Sequence, residues 1–305
     1  MNNLINCLLY EEELTTYLTD KIQNLYNKHN IVPTLATVLV GVNPASVIYV
    51  RNKTKKAKNV GINVINYQLN ENVEEKELIA LIDKLNNDKN INAILVQMPL
   101  PKHLNSQKII SHINPIKDVD GLHPLNAGLL LNKNYNGLIP CTPLGIWYIL
   151  KKETIISGKN AVVVGRSNLV GMPIALILNN ENATVTIAHS KTHNLQKVCN
   201  NADILVVAVG KSNLITGEYI KNNAIVIDVG INRVNIDKSY LCDNHNKDYI
   251  ITGDVNTEQA LAKNAKITPV PKGVGRLTVV FLLYNAYKAT LKQHNLEDDS
   301  YDLFF

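Results

Sequence analysis

The chain has no Cys-x-x-Cys pair and no cysteines and histidines at metal-ligand spacing. Its four cysteines stand alone at positions 7, 141, 199 and 242. Neither a metal site nor a disulfide framework is therefore expected, and a reducing cytoplasm is the expected setting. Long apolar runs are missing too. None approaches the roughly 20 residues that a membrane-spanning helix needs, so no membrane association is expected. The opening "MNNLINCLLYEEELTTYL" has no basic leader and runs into three glutamates, unlike a signal peptide. The net charge of +5 is modest for 305 residues. Nucleic-acid binders gather a stronger basic stripe, whereas small anionic ligands suit this balance. What the chain has in excess is asparagine, at roughly one position in seven. The asparagines fall between periodic apolar segments and form no tracts, so they read as compositional bias.

The length is sufficient for two domains with their own cores. Short valine- and isoleucine-rich runs alternate with amphipathic segments, the pattern of parallel strands covered by helices, so the expected fold class is α/β. In the first half a helix near 11–29 leads to "TLATVLVGV", the basic "IYVRNKTKKAKNVG", "NVINYQL", "VEEKELIALIDKLNN" and "NAILVQMPLP". In the helical segment Leu78, Ile79, Ile82 and Leu85 recur at three- and four-residue spacing and mark one buried face. Proline and glycine gather near 138–150. A second series follows, "NAVVVG", "ATVTIAH", "DILVVAVG", "AIVIDVG" and "YIITGDV", with the look of buried parallel strands. The expected division is residues 1–140 and 141–275, with a last helix at 276–294 packing back on the first domain.

"NAVVVGRSNLVGMP" reads as strand, glycine turn and helix start, an arrangement whose exposed amides attract a phosphate. Gly165 and Gly171 are present, but Ser167 stands where the second glycine of G-x-G-x-x-G belongs, so this loop alone is equally an ordinary βα turn. An NAD site places an acid at the end of the next strand to hold the ribose 2′-hydroxyl. That strand here ends "TIAHSKT", without an acid. His189, Ser190 and Lys191 can donate to an anion there, and Arg166 lies in the turn nearby, so NADP is favoured over NAD.

In the basic segment Tyr49 and Lys53 lie one helical turn apart, while Arg51, Lys55 and Lys58 point away and read as a solvated face. Lys56 also projects near the Tyr49 side. Spacing alone leaves both Lys53 and Lys56 as candidates for a reactive lysine. Gln97 ends the strand "AILVQ" at the carboxyl edge of the sheet, where open α/β sheets bind ligands. "KDVDG" adds Asp118 and Asp120, either of which could accept N–H bonds from a heterocycle, and Asp118 could equally cap a turn.

Taken in order, "PASVIYVRNKTKKAKNVGI", "ILVQMPLP", "KDVDGLHPLNAG", "IPCTPLGI", "VVVGRSNLVGMP", "AIVIDVGIN" and "ITPVPKGVGRLT" resemble the bifunctional methylenetetrahydrofolate dehydrogenase/cyclohydrolase (FolD) family over almost the whole chain. The resemblance implies an N-terminal catalytic domain, an NADP-binding Rossmann-like domain, folate in the cleft between them, and a homodimer. It implies oxidation of 5,10-methylenetetrahydrofolate to the methenyl cation with NADP, then hydrolysis to 10-formyltetrahydrofolate, with substrates that carry a polyglutamate tail in some cases. By position, the family's catalytic residues fall on Lys53, Tyr49, Gln97 and Asp120. Its cofactor positions fall on Gly165, Arg166, Ser167, Ser190 and Ile231. The resemblance further implies that Tyr49 stacks on the folate rings, Asp120 anchors the pterin, and Gln97 orients Lys53 as general base. The loop that would line substrate, with Pro271, Gly273 and Gly275, departs from the family's PGGVGPMT at Lys272, Arg276 and Leu277.

Two competing readings follow. A cyclohydrolase with impaired dehydrogenase would result if the altered loop obstructs hydride transfer. A non-catalytic dinucleotide or folate binder would have no need of the lysine.

Overall fold

Strands whose sequence is apolar on both faces must be covered on both faces, and the first such run, β1 (Thr34–Val40), is buried over nearly its whole length. The computed structural model describes residues 3–235 and 249–297. Cys242 and the tail from position 298 lie outside the described residues. The first half continues α1 (Cys7–His29) and β1 with α2 (Pro44–Asn59), β2 (Asn63–Leu69), α3 (Glu75–Asn87), β3 (Ala93–Val96), α4 (Ser106–His112) and α5 (Pro124–Leu131). The second comprises α6 (Cys141–Glu153), β4 (Asn160–Val164), α7 (Gly171–Asn180), β5 (Thr184–Ala188), α8 (Leu195–Cys199), β6 (Ile204–Val207), β7 (Ile225–Asp228), β8 (Asn232–Asn235), β9 (Tyr249–Thr252), α9 (Thr257–Ala262), β10 (Lys266–Ile267) and α10 (Val274–Gln293). The fold is α/β, with parallel sheets in both halves.

Two compact units result. One joins Glu11–Cys141 to the chain from Thr278 onward. Its three parallel strands run β2-β1-β3. Leu78, Ile82 and Leu85 of α3 are fully buried against Val38, Ile94 and Val96 of the sheet, each worth on the order of 1.5–3 kcal/mol. Helix α10 is buried almost all round beyond Val280, as its largely apolar sequence requires, with Asn285, Lys288 and Thr290 buried among the apolar residues.

The other unit joins the chain up to Tyr10 to Thr142–Leu277. Its first residues were expected with the catalytic half. They lie in this unit because Leu4 bridges to Ile267 and the Ile5 amide donates to the Ile267 carbonyl at 2.9 Å, covering the edge of β10. The five parallel strands run β10-β7-β6-β4-β5. "YIITGDV" was expected among them. Instead β9 pairs antiparallel with β8 in a separate ribbon, and the two-residue β10 is the fifth strand. No residue of the ribbon strands is buried, whereas the central strands β4, β6 and β7 of the parallel sheet are buried over nearly their whole length.

The asparagine excess has a structural use. Seven asparagines among the described residues, including Asn30, Asn182, Asn264 and Asn295 just beyond helices, have positive φ. Asparagine is the residue other than glycine that best tolerates this left-handed geometry, and the chain holds only 15 glycines.

Candidate functional site

In the unit built on β1, the carboxyl ends of the strands carry the first group of polar side chains. Helix α2 buries Ser46, Val50 and Ala57, with Val60 buried just beyond its end, and leaves Arg51, Lys55 and Lys58 exposed. Lys53 lies on the margin of the buried face. Its Nζ donates to Gln97 Oε1 at 3.2 Å. The Gln97 Nε2 donates to its neighbour's carbonyl, Met98 O, at 2.7 Å, which fixes the amide so that its oxygen faces the lysine. Lys56 is committed elsewhere, in an ion pair with the buried Glu11 of α1. The structure thus separates two lysines that helical spacing left equivalent. Tyr49, 48% exposed, lies one turn before Lys53 on α2.

The two aspartates of "KDVDG" also part company. Asp118 is 2% exposed and its Oδ2 accepts the His123 amide at 2.7 Å and Asn126 Nδ2 at 3.2 Å, so it closes the loop from inside. Burial pushes its carboxyl up to about 7, and the charge of Asp120 adds to the rise. Asp120 is only partly covered. Burial raises its pKa as well, and the positive charge of Lys53 opposes that rise, which places the two in one electrostatic neighbourhood.

Several residues that pattern reasoning missed build this frame. Lys117 Nζ donates to the carbonyls of Leu85, Asn86 and Asp88 at 3.0, 2.8 and 2.8 Å, capping α3 at its negative end and tying the start of the loop to that helix. Gly121, at φ +68°, has no space for a side chain, since a Cβ would lie 2.5 Å from the Ile139 carbonyl carbon. Asn285 of α10 donates to Val119 O at 2.8 Å and to Ile139 O at 2.9 Å, tying the residue before Asp120 to the segment that packs on Gly121. The one available signal for Asn285 was an amide inside the apolar stretch "VVFLLYNAYKATL". Cys141, beside this frame, donates to Val119 O at 3.2 Å, and burial raises its thiol far above the ordinary range, so it is no nucleophile.

The second group lies in the five-stranded unit, at the carboxyl ends of β4, β5 and β7. The β4 exit is a cradle built by steric necessity. Gly165 has φ +125° and a Cβ there would lie 2.3 Å from Ala208 O; a Cβ on Gly171 would lie 2.2 Å from Gly165 O. Only glycine lets the turn fold back over the start of α7. Ser167 replaces the fingerprint's middle glycine and turns its Oγ to the amides of Val170 and Gly171 at 3.2 and 3.4 Å. Arg166 and Ser190 are exposed at the ends of β4 and β5, and no acid stands at the end of β5. The loop after β5 is held by the His189 amide on Thr192 Oγ1 at 2.8 Å. Ile231, 58% exposed, follows β7. These residues fit a dinucleotide bearing a 2′-phosphate: the glycines admit a diphosphate to backbone amides, and a guanidinium replaces the acid that would repel the extra phosphate.

In the loop before α10, Pro271 is exposed and Gly273 is closed in, since a Cβ on it would lie 2.1 Å from Pro269 O. Gly275 has room, its nearest neighbour being Ile231 Cδ1 at 4.0 Å from a built Cβ. Of the departures from the family loop, Lys272 is exposed at φ +78°, Arg276 is partly covered, and Leu277 is fully buried. Leu277 is therefore a core residue and obstructs nothing.

Fold and site together define a dinucleotide-dependent α/β enzyme with a second, lysine-centred site. The sequence matches the catalytic domain of tetrahydrofolate dehydrogenase/cyclohydrolase over residues 5–120 and the NAD(P)-binding domain of the same enzymes over residues 140–294. The chain belongs to the tetrahydrofolate dehydrogenase/cyclohydrolase family. It is 49% identical over 276 residues to the bifunctional protein FolD of Ligilactobacillus salivarius, covering 90% of this chain and 92% of that one. The crystal structure of the bifunctional enzyme FolD from Campylobacter jejuni superimposes with a TM-score of 0.88 at 42% identity, covering 95% of this chain and 98% of that one. The Trypanosoma brucei enzyme, solved with NADP cofactor and an inhibitor, does so with a TM-score of 0.87 at 35% identity, over 95% and 97% of the two chains.

Proposed function

We propose that the chain oxidises 5,10-methylenetetrahydrofolate to the methenyl cation with NADP and then hydrolyses that cation to 10-formyltetrahydrofolate. The observation that carries the reading is the Lys53 Nζ to Gln97 Oε1 bond of 3.2 Å beside the half-buried Asp120. A dinucleotide store would have no use for that arrangement. Bound NADP supplies a hydride acceptor, held by the Gly165–Gly171 turn, Arg166, Ser190 and Ile231.

The chain's own side chains account for the rest. Tyr49 offers its exposed ring as a stacking surface for the folate. Asp120 accepts N–H bonds from the pterin, and its site penalises a bare carboxylate until such donors arrive. Gln97 keeps the Lys53 amine aimed at the reacting carbon. Water adds to the methenyl carbon, and Lys53 removes a proton from it. The remaining hydroxyl proton is then lost as the bond from that carbon to N5 breaks and the C=O forms; one proton passes to N5 and the other is released to solvent, leaving the formyl group on N10. The active protein is a cytoplasmic homodimer, and its substrates include polyglutamylated folates.

A coupled spectrophotometric assay with 5,10-methylenetetrahydrofolate and either NADP or NAD tests the reading. NADPH and 10-formyltetrahydrofolate are expected. No reduced cofactor with either dinucleotide would remove the dehydrogenase, and accumulation of the methenyl compound beyond its spontaneous hydrolysis would remove the cyclohydrolase.

A further inference from the structure

Beyond the phosphate turn, the five-stranded unit contains two buried carboxylates to which the steps above assign no part. Asp228 ends β7 and is 1% exposed; Asp254 follows β9 and is 0% exposed. Neither is ion-paired among the described residues, so their charge is met by N–H groups alone. Asp254 Oδ2 accepts the amides of Val209 and Gly210 at 2.7 and 2.9 Å, and its Oδ1 accepts the amide of Lys211 at 2.8 Å and Asn232 Nδ2 at 2.9 Å. Asp228 in turn accepts the amides of Gly230 and Asp254 on Oδ1, at 2.9 and 3.0 Å, and of Val255 on Oδ2 at 2.9 Å.

The space for both carboxylates is reserved. A Cβ on Gly230 would lie 2.4 Å from the Asp254 carboxyl carbon, and one on Gly253 would lie 1.9 Å from Asp228 Oδ2. Burying two carboxylates without a cation is costly: burial, with the charge of Asp254 adding to it, pushes Asp228 up to about 6 even though the amides of Asp254, Val255 and Gly230 hold it down. A merely structural link between loops could be made from neutral groups at lower cost. What the pair does is join two strand exits on the ligand edge of the sheet. The β6 exit holds Ala208, whose carbonyl defines the Gly165 turn, followed directly by the three amides on Asp254. The β7 exit holds the exposed Ile231, followed directly by Asn232 on the same carboxylate.

We propose that Asp228 and Asp254 form a brace that positions the β6 and β7 exits against the phosphate turn and so sets the shape of the dinucleotide cradle. Both are positioning residues, and neither touches the cofactor. The proposal rests on the NADP reading made above.

The test measures NADP affinity by titration calorimetry on the full chain, alongside the thermal midpoint without cofactor. Asp254→Asn keeps the shape but turns an N–H group toward N–H donors; it is expected to raise the NADP Kd about tenfold or more. Asn232→Ala removes one donor and is expected to raise it about threefold to fivefold. The control is Asp203→Asn. Asp203 lies just before β6, at the opposite edge of the sheet, where it accepts the Asn160 amide at 3.0 Å and Lys221 Nζ at 2.6 Å. That variant should lower the thermal midpoint and leave the NADP Kd unchanged, because a purely structural loss does not reach the cradle.

Equal NADP Kd values for the unaltered protein and Asp254→Asn would overturn the brace. So would an equal loss of affinity in Asp203→Asn. If Asp254→Asn does not fold, Asn232→Ala decides: weaker NADP binding supports the brace and an unchanged Kd overturns it. Failure of the unaltered protein to bind NADP would remove the cofactor reading itself.

Discussion

At the scale of single residues, the choice between Lys53 and Lys56 shows what distant contacts add to spacing. Both lysines project from the same side of α2, and periodicity along one helix has no means of ranking them. The ranking comes from Glu11, on α1, which takes Lys56 into an ion pair, and from Gln97, at the end of β3, which takes Lys53. Each partner is more than 40 positions away in the chain. Lys53→Met is expected to lower the hydrolysis rate by about 10²–10⁴-fold, the usual loss of a general base, with NADP affinity retained. Lys56→Met should leave kcat within about twofold but lower stability by about 1–2 kcal/mol, because the cation facing a buried carboxylate is removed. Single-turnover hydrolysis of the methenyl compound, paired with denaturant unfolding of each variant, separates the two effects. A hydrolysis defect in Lys56→Met without one in Lys53→Met would reverse the assignment.

At the scale of elements, β1, β3, β4, β6 and β7 were legible because burial on two faces forces short branched-aliphatic runs, whereas β2 and β5, partly exposed at the sheet edges, showed only as branched residues between polar ones; α3 was legible from its three- and four-residue spacing. The ribbon of β8 and β9 was not. "YIIT" has the same composition as a core strand, and only its pairing partner reveals that it lies outside the parallel sheet. The phosphate turn was half legible. Its glycines could be seen, but their necessity rests on Ala208 O and Gly165 O, which the fold brings to within 2.3 and 2.2 Å of the missing Cβ atoms. Cofactor choice belongs to this same element, since Arg166 in the turn after β4 and the acid-free end of β5 are what separate a 2′-phosphate from a 2′-hydroxyl. Arg166→Ala is therefore expected to weaken NADP by roughly tenfold or more through loss of a charge-assisted contact, while NAD changes little. Dissociation constants for both dinucleotides check this, and equal weakening of the two would leave Arg166 no part in the selection.

At the scale of the whole molecule, the α/β class and the alternation of elements follow from the sequence, but the way α10 serves the folate-side site does not. Its largely apolar character marks it as buried, while the use of Asn285 to tie Val119, the residue before Asp120, to Ile139 depends on chain segments over 140 positions apart. That buried frame also links global stability to pH through Asp118. Its carboxyl has an ordinary value of 3.8 and is pushed up to about 7 in the folded chain. The folded state therefore binds more protons than the unfolded state between these values, and stability falls as pH rises through that window. The contribution is fully present below about pH 3.8 and lost above about 7, with a size on the order of 2–4 kcal/mol. Asp118→Asn keeps an oxygen acceptor for His123 and Asn126 but cannot ionise. Relative to the unaltered protein, this variant is expected to gain stability as pH is raised from 5 to 8, when the buried aspartate must become charged and the asparagine need not. Denaturant midpoints for both proteins across that range decide the matter, and parallel curves would show that Asp118 does not titrate within it.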